Sequence, residues 1–122
     1  MAIQVETPVS EGAASRAVRA HLRVESGFYE GLEWPLDRMS TVIGRGRTAD
    51  LVLHEGTISR AHALFGLEGD RIFVQDLGST NGTLVNGEPE HRCFLKDGDE
   101  LRMGKLVLRV RIDRAMEEMP SA

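Results

Sequence analysis

The sequence predicts an all-β domain, a sandwich or barrel of short strands, and three observations carry that expectation. Apolar segments of a few residues recur along most of the chain, each closed by turn residues. Where a segment is long enough to show a period, the period is two. Leu106, Leu108, Val110 and Ile112 share one side, while Lys105, Arg109 and Arg111 share the other, which is the pattern of a strand with one wet face. Turn signals with known mechanisms fall between the segments: Glu-Gly-Asp before Arg71, Asn-Gly at Asn81 and again at Asn86, and Asp-Gly-Asp at 97–99.

A chain of 122 residues has the length for one core and not two. Residues 1–16, rich in Ala, Ser, Glu and Pro and without periodicity, read as a disordered tail, and the folded domain is expected over 17–112. Its strands are expected in "AVRAHLRVES", "FYEGLEWPL", "STVIG", "DLVLH", "AHALFGLEGD", "RIFVQDLG", "GTLVNG", "HRCFLKDGD" and "ELRMGKLVLRVRI". Nearly every link between them is short enough for antiparallel neighbours. The exceptions are 44–50 and 55–60, longer irregular loops that carry arginines, and loops on a rigid sheet are where binding residues usually sit. Residues 113–122 read either as a short helix from Asp113, with Met116 and Met119 on one side, or as the start of a linker to a further domain.

Composition excludes several classes of function. Hydrophobic residues at 41% and charged residues at 28% are ordinary for a soluble protein, and the apolar runs fall short of a membrane span. The first residues lack the basic start and apolar core of a secretory signal, and no lipidation motif is visible, so cytoplasmic placement is expected. With 19 acidic against 15 basic residues the net charge is -4, which repels nucleic acid and anionic membrane unless basic groups cluster. Neither is expected as a partner, although Arg45, Arg47 and Arg60 do lie close in sequence. The lone Cys93 precludes an intramolecular disulfide and reads as a small buried apolar residue, with a reactive thiol as the alternative. His21, His54, His62 and His91 are scattered without metal-ligand spacing, and no metal or other cofactor is expected.

Two segments invite an enzymatic or nucleotide-binding reading, and their context rejects both. Gly44, Gly46 and Ala49 follow a strand in a G-x-G-x-x-A spacing, but that fingerprint needs a helix next, and "DLVLH" is another short strand. Ser59 and His62 hint at a hydrolase, but in an extended segment they diverge, and no G-x-S-x-G elbow exposes the serine. His62 is instead expected to bond backbone and fix the loop that carries Ser59. "STNGT" alone reads as a two-residue type I′ hairpin, with Asn81 and Gly82 at positive φ. With no carboxylate pair, nucleophile elbow or kinase motif set, the chain reads as a non-catalytic protein.

Gly44-Arg45, Ser59-Arg60-Ala61-His62 and Ser79-Thr80-Asn81-Gly82 occur in this order, each on a loop between strands. With "DLVL" after the arginine loop and "LKDGDELRMG" near the end, this combination resembles the forkhead-associated (FHA) domain, a phosphothreonine-peptide-binding module. The resemblance runs from about Val18 to Ile112. It implies a sandwich of two twisted antiparallel sheets, usually of eleven short strands, with peptide-binding loops at one end. It also implies that Arg45 and Ser59 contact the phosphate, that Thr80 and its loop close the pocket, and that Asn81 bonds the peptide main chain. By the same resemblance Arg60 is a further candidate phosphate contact at a position where members of the family vary, Arg47, Thr57 and Asn86 are rim or selectivity candidates, and Gly44, His62 and Gly82 are expected to be structural.

A phosphothreonine carries nearly two negative charges and three acceptor oxygens, so its site needs cations and directed donors more than a deep apolar pocket. Arg45, Ser59, Arg60 and Thr80 are of those types. The expected partner is a phosphothreonine-containing protein, with a Ser/Thr protein kinase upstream. Thr7, followed by Pro8 in the tail, is a candidate phosphosite whose modification would let the tail occupy the domain, because a tether raises effective concentration. The alternatives are a scaffold of the same fold, as in secretion-system assemblies, that no longer reads phosphate, and the regulatory module of a larger enzyme.

Overall fold

Eleven strands and no helix make up residues 18–113, the part of the chain that the computed structural model describes. Thr7 and the rest of the expected tail, and residues 114–122, lie outside it. In chain order the strands are β1 (Arg19–Val24), β2 (Glu33–Pro35), β3 (Ser40–Gly44), β4 (Leu51–Val52), β5 (Ala63–Glu68) and β6 (Arg71–Asp76). They continue with β7 (Thr83–Val85), β8 (Glu88–Pro89), β9 (Arg92–Phe94), β10 (Glu100–Met103) and β11 (Leu106–Asp113). They form a six-stranded sheet in the order β2-β1-β11-β10-β7-β8 and a five-stranded sheet in the order β4-β3-β5-β6-β9.

The period of two decides which side chains meet between the sheets. Antiparallel register sets Leu22 opposite Val110, Val24 opposite Leu108 and Leu101 opposite Leu108, all of them buried on the inner face of the six-stranded sheet. Ile43, Ala63, Phe65, Ile72 and Val74 supply the inner face of the other sheet. Cys93 on β9 is half-buried and packs against this core. Burial, followed by the charges of Glu90 and Asp99, pushes its thiol up from the ordinary value, which disfavours the reactive thiolate.

Several expectations change at the turns. Asn81 does not share positive φ with Gly82 (φ 79), and β6 and β7 belong to different sheets, so "STNGT" is a crossing between sheets and not a type I′ hairpin. The second Asn-Gly pair takes that role instead. Asn86 (φ 52) and Gly87 (φ 87) join Val85 to its partner Glu88, giving β8, a strand too short and polar to show in the sequence. "FYEGLEWPL" is a turn through Gly31 before β2 opens at Glu33, and "ELRMGKLVLRVRI" is two strands joined at Gly104. Asp113, considered as a helix start, closes β11 opposite Arg19.

One pair of neighbours is parallel: β3 and β4, with Ile43 beside Leu51. The 45–50 loop doubles back through a bond from the Ala49 N–H to the Gly46 carbonyl (3.2 Å), so the chain re-enters alongside β3 in the same direction.

Leu101 is fully buried at the centre of the six-stranded sheet. Leu101→Ala is expected to lower unfolding free energy by about 2–5 kcal/mol through lost burial and the cavity left behind. Urea unfolding measures it, and an unchanged midpoint would contradict this account of the core.

Candidate functional site

Three loops and one tight turn converge at one end of the sandwich, and the sequence explains why they lock together. The 45–50 loop lies against the 53–62 loop through two backbone bonds, Arg45 N–H to the Ser59 carbonyl (3.0 Å) and Gly46 N–H to the Arg60 carbonyl (3.1 Å). The approach is so close that a Cβ at Gly44 would collide with the Arg60 carbonyl and lie 3.0 Å from the Ala61 Cα, so the position before Arg45 admits only glycine.

His62 is the link between this pair and the 77–82 loop. Its ring is fully buried. Nδ1 accepts the Ser59 backbone N–H at 3.0 Å, and Nε2 meets the Gly82 carbonyl at 2.9 Å. An acceptor at Nδ1 and a donor at Nε2 define the neutral Nε2–H tautomer. Both nitrogens are thereby engaged with backbone, and neither reaches the Ser59 hydroxyl to activate it.

Two further bonds finish the assembly. Ser59 Oγ accepts the Thr80 N–H at 3.0 Å, and Asn81 Nδ2 donates to the Thr57 carbonyl at 2.7 Å. Thr57 also ties in the turn between β10 and β11, because its Oγ1 accepts the Lys105 N–H at 2.8 Å while donating to Glu55 at 2.7 Å. Arg45 is exposed, yet its Nε donates to the Ile58 carbonyl at 2.8 Å. That bond orients the guanidinium and leaves its terminal nitrogens as donors.

The arginines of the site are left without carboxylate partners because the acids on these loops are engaged elsewhere. Asp50, on the arginine loop, takes the Val42 N–H at 2.8 Å and pairs with Arg38 at 3.7 Å. Glu55 is engaged by the Thr57 hydroxyl and N–H, which hold its carboxyl below the usual carboxylate value. Among the described residues Arg45, Arg47 and Arg60 form no ion pair, whereas Arg23, Arg92, Arg109 and Arg111 each have a carboxylate partner.

The structure thus brings together Arg45, Ser59, Arg60, Thr80 and Asn81, with Thr57 as the knot between loops and Arg47 on the outer part of the arginine loop. It does not bring Asn86 there. Asn86 sits across β7 at the opposite end, its amide bonded to Asp99 (2.9 Å) and to the Glu100 N–H (3.0 Å).

Sequence reasoning overlooked Asp76, the last residue of β6. Its carboxylate accepts four bonds: N–H groups of Gly78 and Ser79 at 3.0 Å each, and hydroxyls of Ser79 (2.6 Å) and Thr83 (2.7 Å). These set the path of the 77–82 loop before it reaches Thr80. The signal was present as an Asp placed two and three residues before Gly78 and Ser79, the spacing of a local side-chain-to-backbone turn.

A model of the FHA domain family matches residues 41–104 of this chain, which spans the arginine loop, the Ser59 loop and the 77–82 loop. The chain belongs to the FHA-domain family. An oxoglutarate dehydrogenase inhibitor from Corynebacterium jeikeium is 43% identical over 89 residues, covering 73% of this chain and 62% of that protein. The glycogen accumulation regulator GarA of Mycolicibacterium smegmatis is 44% identical over 89 residues, covering 73% of this chain and 56% of that protein. The match therefore spans less than two thirds of each relative. A solved structure from work on phosphothreonine-dependent FHA domain interactions superimposes with a TM-score of 0.71 at 35% identity, covering 76% of this chain and 95% of that one.

Asp76 generates a prediction with a defined sign. Burial raises its pKa most, but the Ser79 and Thr83 hydroxyls and the two N–H groups together outweigh burial and hold it below the ordinary aspartate value. A carboxyl whose folded pKa is depressed contributes stability that is complete above its unfolded pKa, about 4, and is lost as pH falls through the folded value. Asp76→Asn turns one acceptor into a donor facing donors, and is expected to cost about 1–3 kcal/mol at neutral pH. The gap between the two proteins should narrow below about pH 4, as followed by urea unfolding over pH. A gap independent of pH would contradict the role given to the carboxylate.

Proposed function

We propose that this FHA domain binds phosphothreonine-containing protein segments, as a non-catalytic module acting downstream of a Ser/Thr protein kinase. The observation that carries the reading is the set of donors left over once the loops have locked. Ser59 Oγ accepts from Thr80 and keeps its own proton to donate outward. Arg45, fixed through Nε, keeps its terminal nitrogens, and Arg60 adds a second cation from the adjoining loop. These meet the nearly two negative charges and three acceptor oxygens of a phosphate. Asn81 retains its carbonyl oxygen and one N–H, a donor and acceptor pair suited to a peptide main chain.

Binding rather than catalysis is favoured by the same geometry, since the ring of His62 serves backbone groups on both sides and leaves Ser59 without a base. Charge-assisted bonds contribute roughly 1.5–3 kcal/mol each, offset by the ordering of the peptide, so affinity on the order of micromolar, about -8 kcal/mol, is expected. A carboxylate mimic offers one charge and two oxygens, and binds poorly in this reading. Among the described residues no helix is long and apolar enough to cross a membrane, and we place the protein in the cytoplasm with its kinase. Regulation of metabolism is the wider role we infer, in keeping with relatives described as an oxoglutarate dehydrogenase inhibitor and a glycogen accumulation regulator.

Titration of a phosphothreonine peptide by calorimetry tests the assignment. Arg45→Ala is expected to weaken binding by at least about tenfold, the loss of one charge-assisted contact, and Arg47→Ala by less than about fivefold. Arg45→Ala binding like the unaltered protein would overturn the reading.

A further inference from the structure

Three large apolar side chains are exposed among the described residues: Phe28 at 93%, Met39 at 64% and Phe94 at 37%. One has a local partner, and one lies away from the site. Phe94, on the outer side of β9, lies beneath the Arg71 guanidinium at 3.6 Å. Met39 precedes β3 at the end remote from the site, where its carbonyl takes the Leu67 N–H. Phe28 is different. It stands at the tip of the loop between β1 and β2, meeting the Tyr29 ring edge-on at 5.1 Å, with nearly all its surface in water.

That loop is held firmly. Gly31 N–H bonds the Val24 carbonyl (2.8 Å), Leu32 N–H bonds the Tyr29 carbonyl (2.9 Å), and Tyr29 and Leu32 pack against the core. The Tyr29 hydroxyl accepts the His54 N–H at 3.0 Å. Ser26 Oγ donates to the Lys105 carbonyl at 3.2 Å and accepts the Val107 N–H at 3.0 Å. A partner meeting Phe28 would therefore lose little loop entropy, the condition under which a single aromatic contributes to affinity.

The same bonds tie Phe28 to the binding end. Ser26 holds Lys105, Lys105 donates to Thr57, and the Thr57 carbonyl receives Asn81. The exposed neighbours Glu30 and Lys105 carry opposite charges, so what distinguishes this spot is apolar surface and not a field.

We propose that Phe28, backed by Tyr29, is a second anchor for the chain that brings the phosphothreonine, receiving an apolar or aromatic side chain several residues away from the phosphate. The occupant is that same chain because the Phe28 loop is continuous with the phosphopeptide end through three linked residues. The inference rests on the phosphothreonine reading of the site and deepens it into a selectivity element.

The test uses the full chain and a series of phosphothreonine peptides in a Ser/Ala background. Each carries one Leu or Phe, at positions up to about six residues on either side of the phosphothreonine, roughly 20 Å of extended chain. At one position or two near neighbours the apolar residue is expected to raise affinity about fivefold or more, the effect of burying part of an apolar side chain. Phe28→Ser removes that gain and leaves binding of the plain Ser/Ala peptide within about twofold, whereas Phe28→Leu keeps part of it. Thermal unfolding of both variants guards against misfolding, which an exposed side chain gives no reason to expect.

The proposal is overturned if no gain depends on Phe28, if Phe28→Ser weakens the plain peptide equally, or if Phe28 instead supports concentration-dependent self-association in light scattering. If the plain phosphopeptide does not bind the unaltered protein, the site reading itself falls. If it binds and depends on Arg45 but Phe28 is silent, only the second anchor falls.

Discussion

The buried imidazole of His62 is the constraint on which the binding end depends. It joins two loops that leave different strands of the five-stranded sheet, one through the Ser59 N–H and the other through the Gly82 carbonyl. Two part-buried backbone groups from separate loops need partners there, and an imidazole in its Nε2–H form supplies one acceptor and one donor at the right separation. No aliphatic side chain of that size offers both. Asp76 does the corresponding work inside the 77–82 loop, and Thr57 between that loop and the turn at Gly104.

This division of labour separates structure from recognition within a few residues. Groups facing inward are saturated with intramolecular bonds, while those facing outward are left with a surplus of donors and positive charge. The protein is acidic overall, so that surplus is a local arrangement and not a product of composition. Asp50 and Glu55 are engaged by backbone and hydroxyl groups and not by Arg45, Arg47 or Arg60, so these arginines keep their guanidinium donors free of ion pairs.

Much of this could be read from the residues. Alternation at 106–112 and the turn signals located the strands, and the motifs with Arg45, Ser59 and Asn81 marked the three loops that the structure brings together. What stayed hidden was set by tertiary contact. Two identical Asn-Gly pairs behave differently, because Asn86–Gly87 joins neighbours in one sheet whereas Asn81–Gly82 ends a crossing between sheets, and local chemistry does not distinguish the cases. The parallel pairing of β4 depends on how the 45–50 loop folds on itself. Asp76 was missed because its partners are mostly backbone N–H groups and hydroxyls of unremarkable residues. Phe28 was missed because exposure, not residue type, sets it apart.

In the reading proposed above, the outward donors of Arg45, Ser59, Thr80 and Asn81 form one phosphothreonine-peptide surface. The most direct measurement is an amide and arginine-side-chain NMR titration with a phosphothreonine peptide and its unphosphorylated twin. The Arg45 side chain and the backbone at Ser59, Thr80 and Asn81 are expected to shift together, and with the phosphopeptide only. Shifts of equal size with both peptides, or shifts confined to the outer face of either sheet, would contradict it.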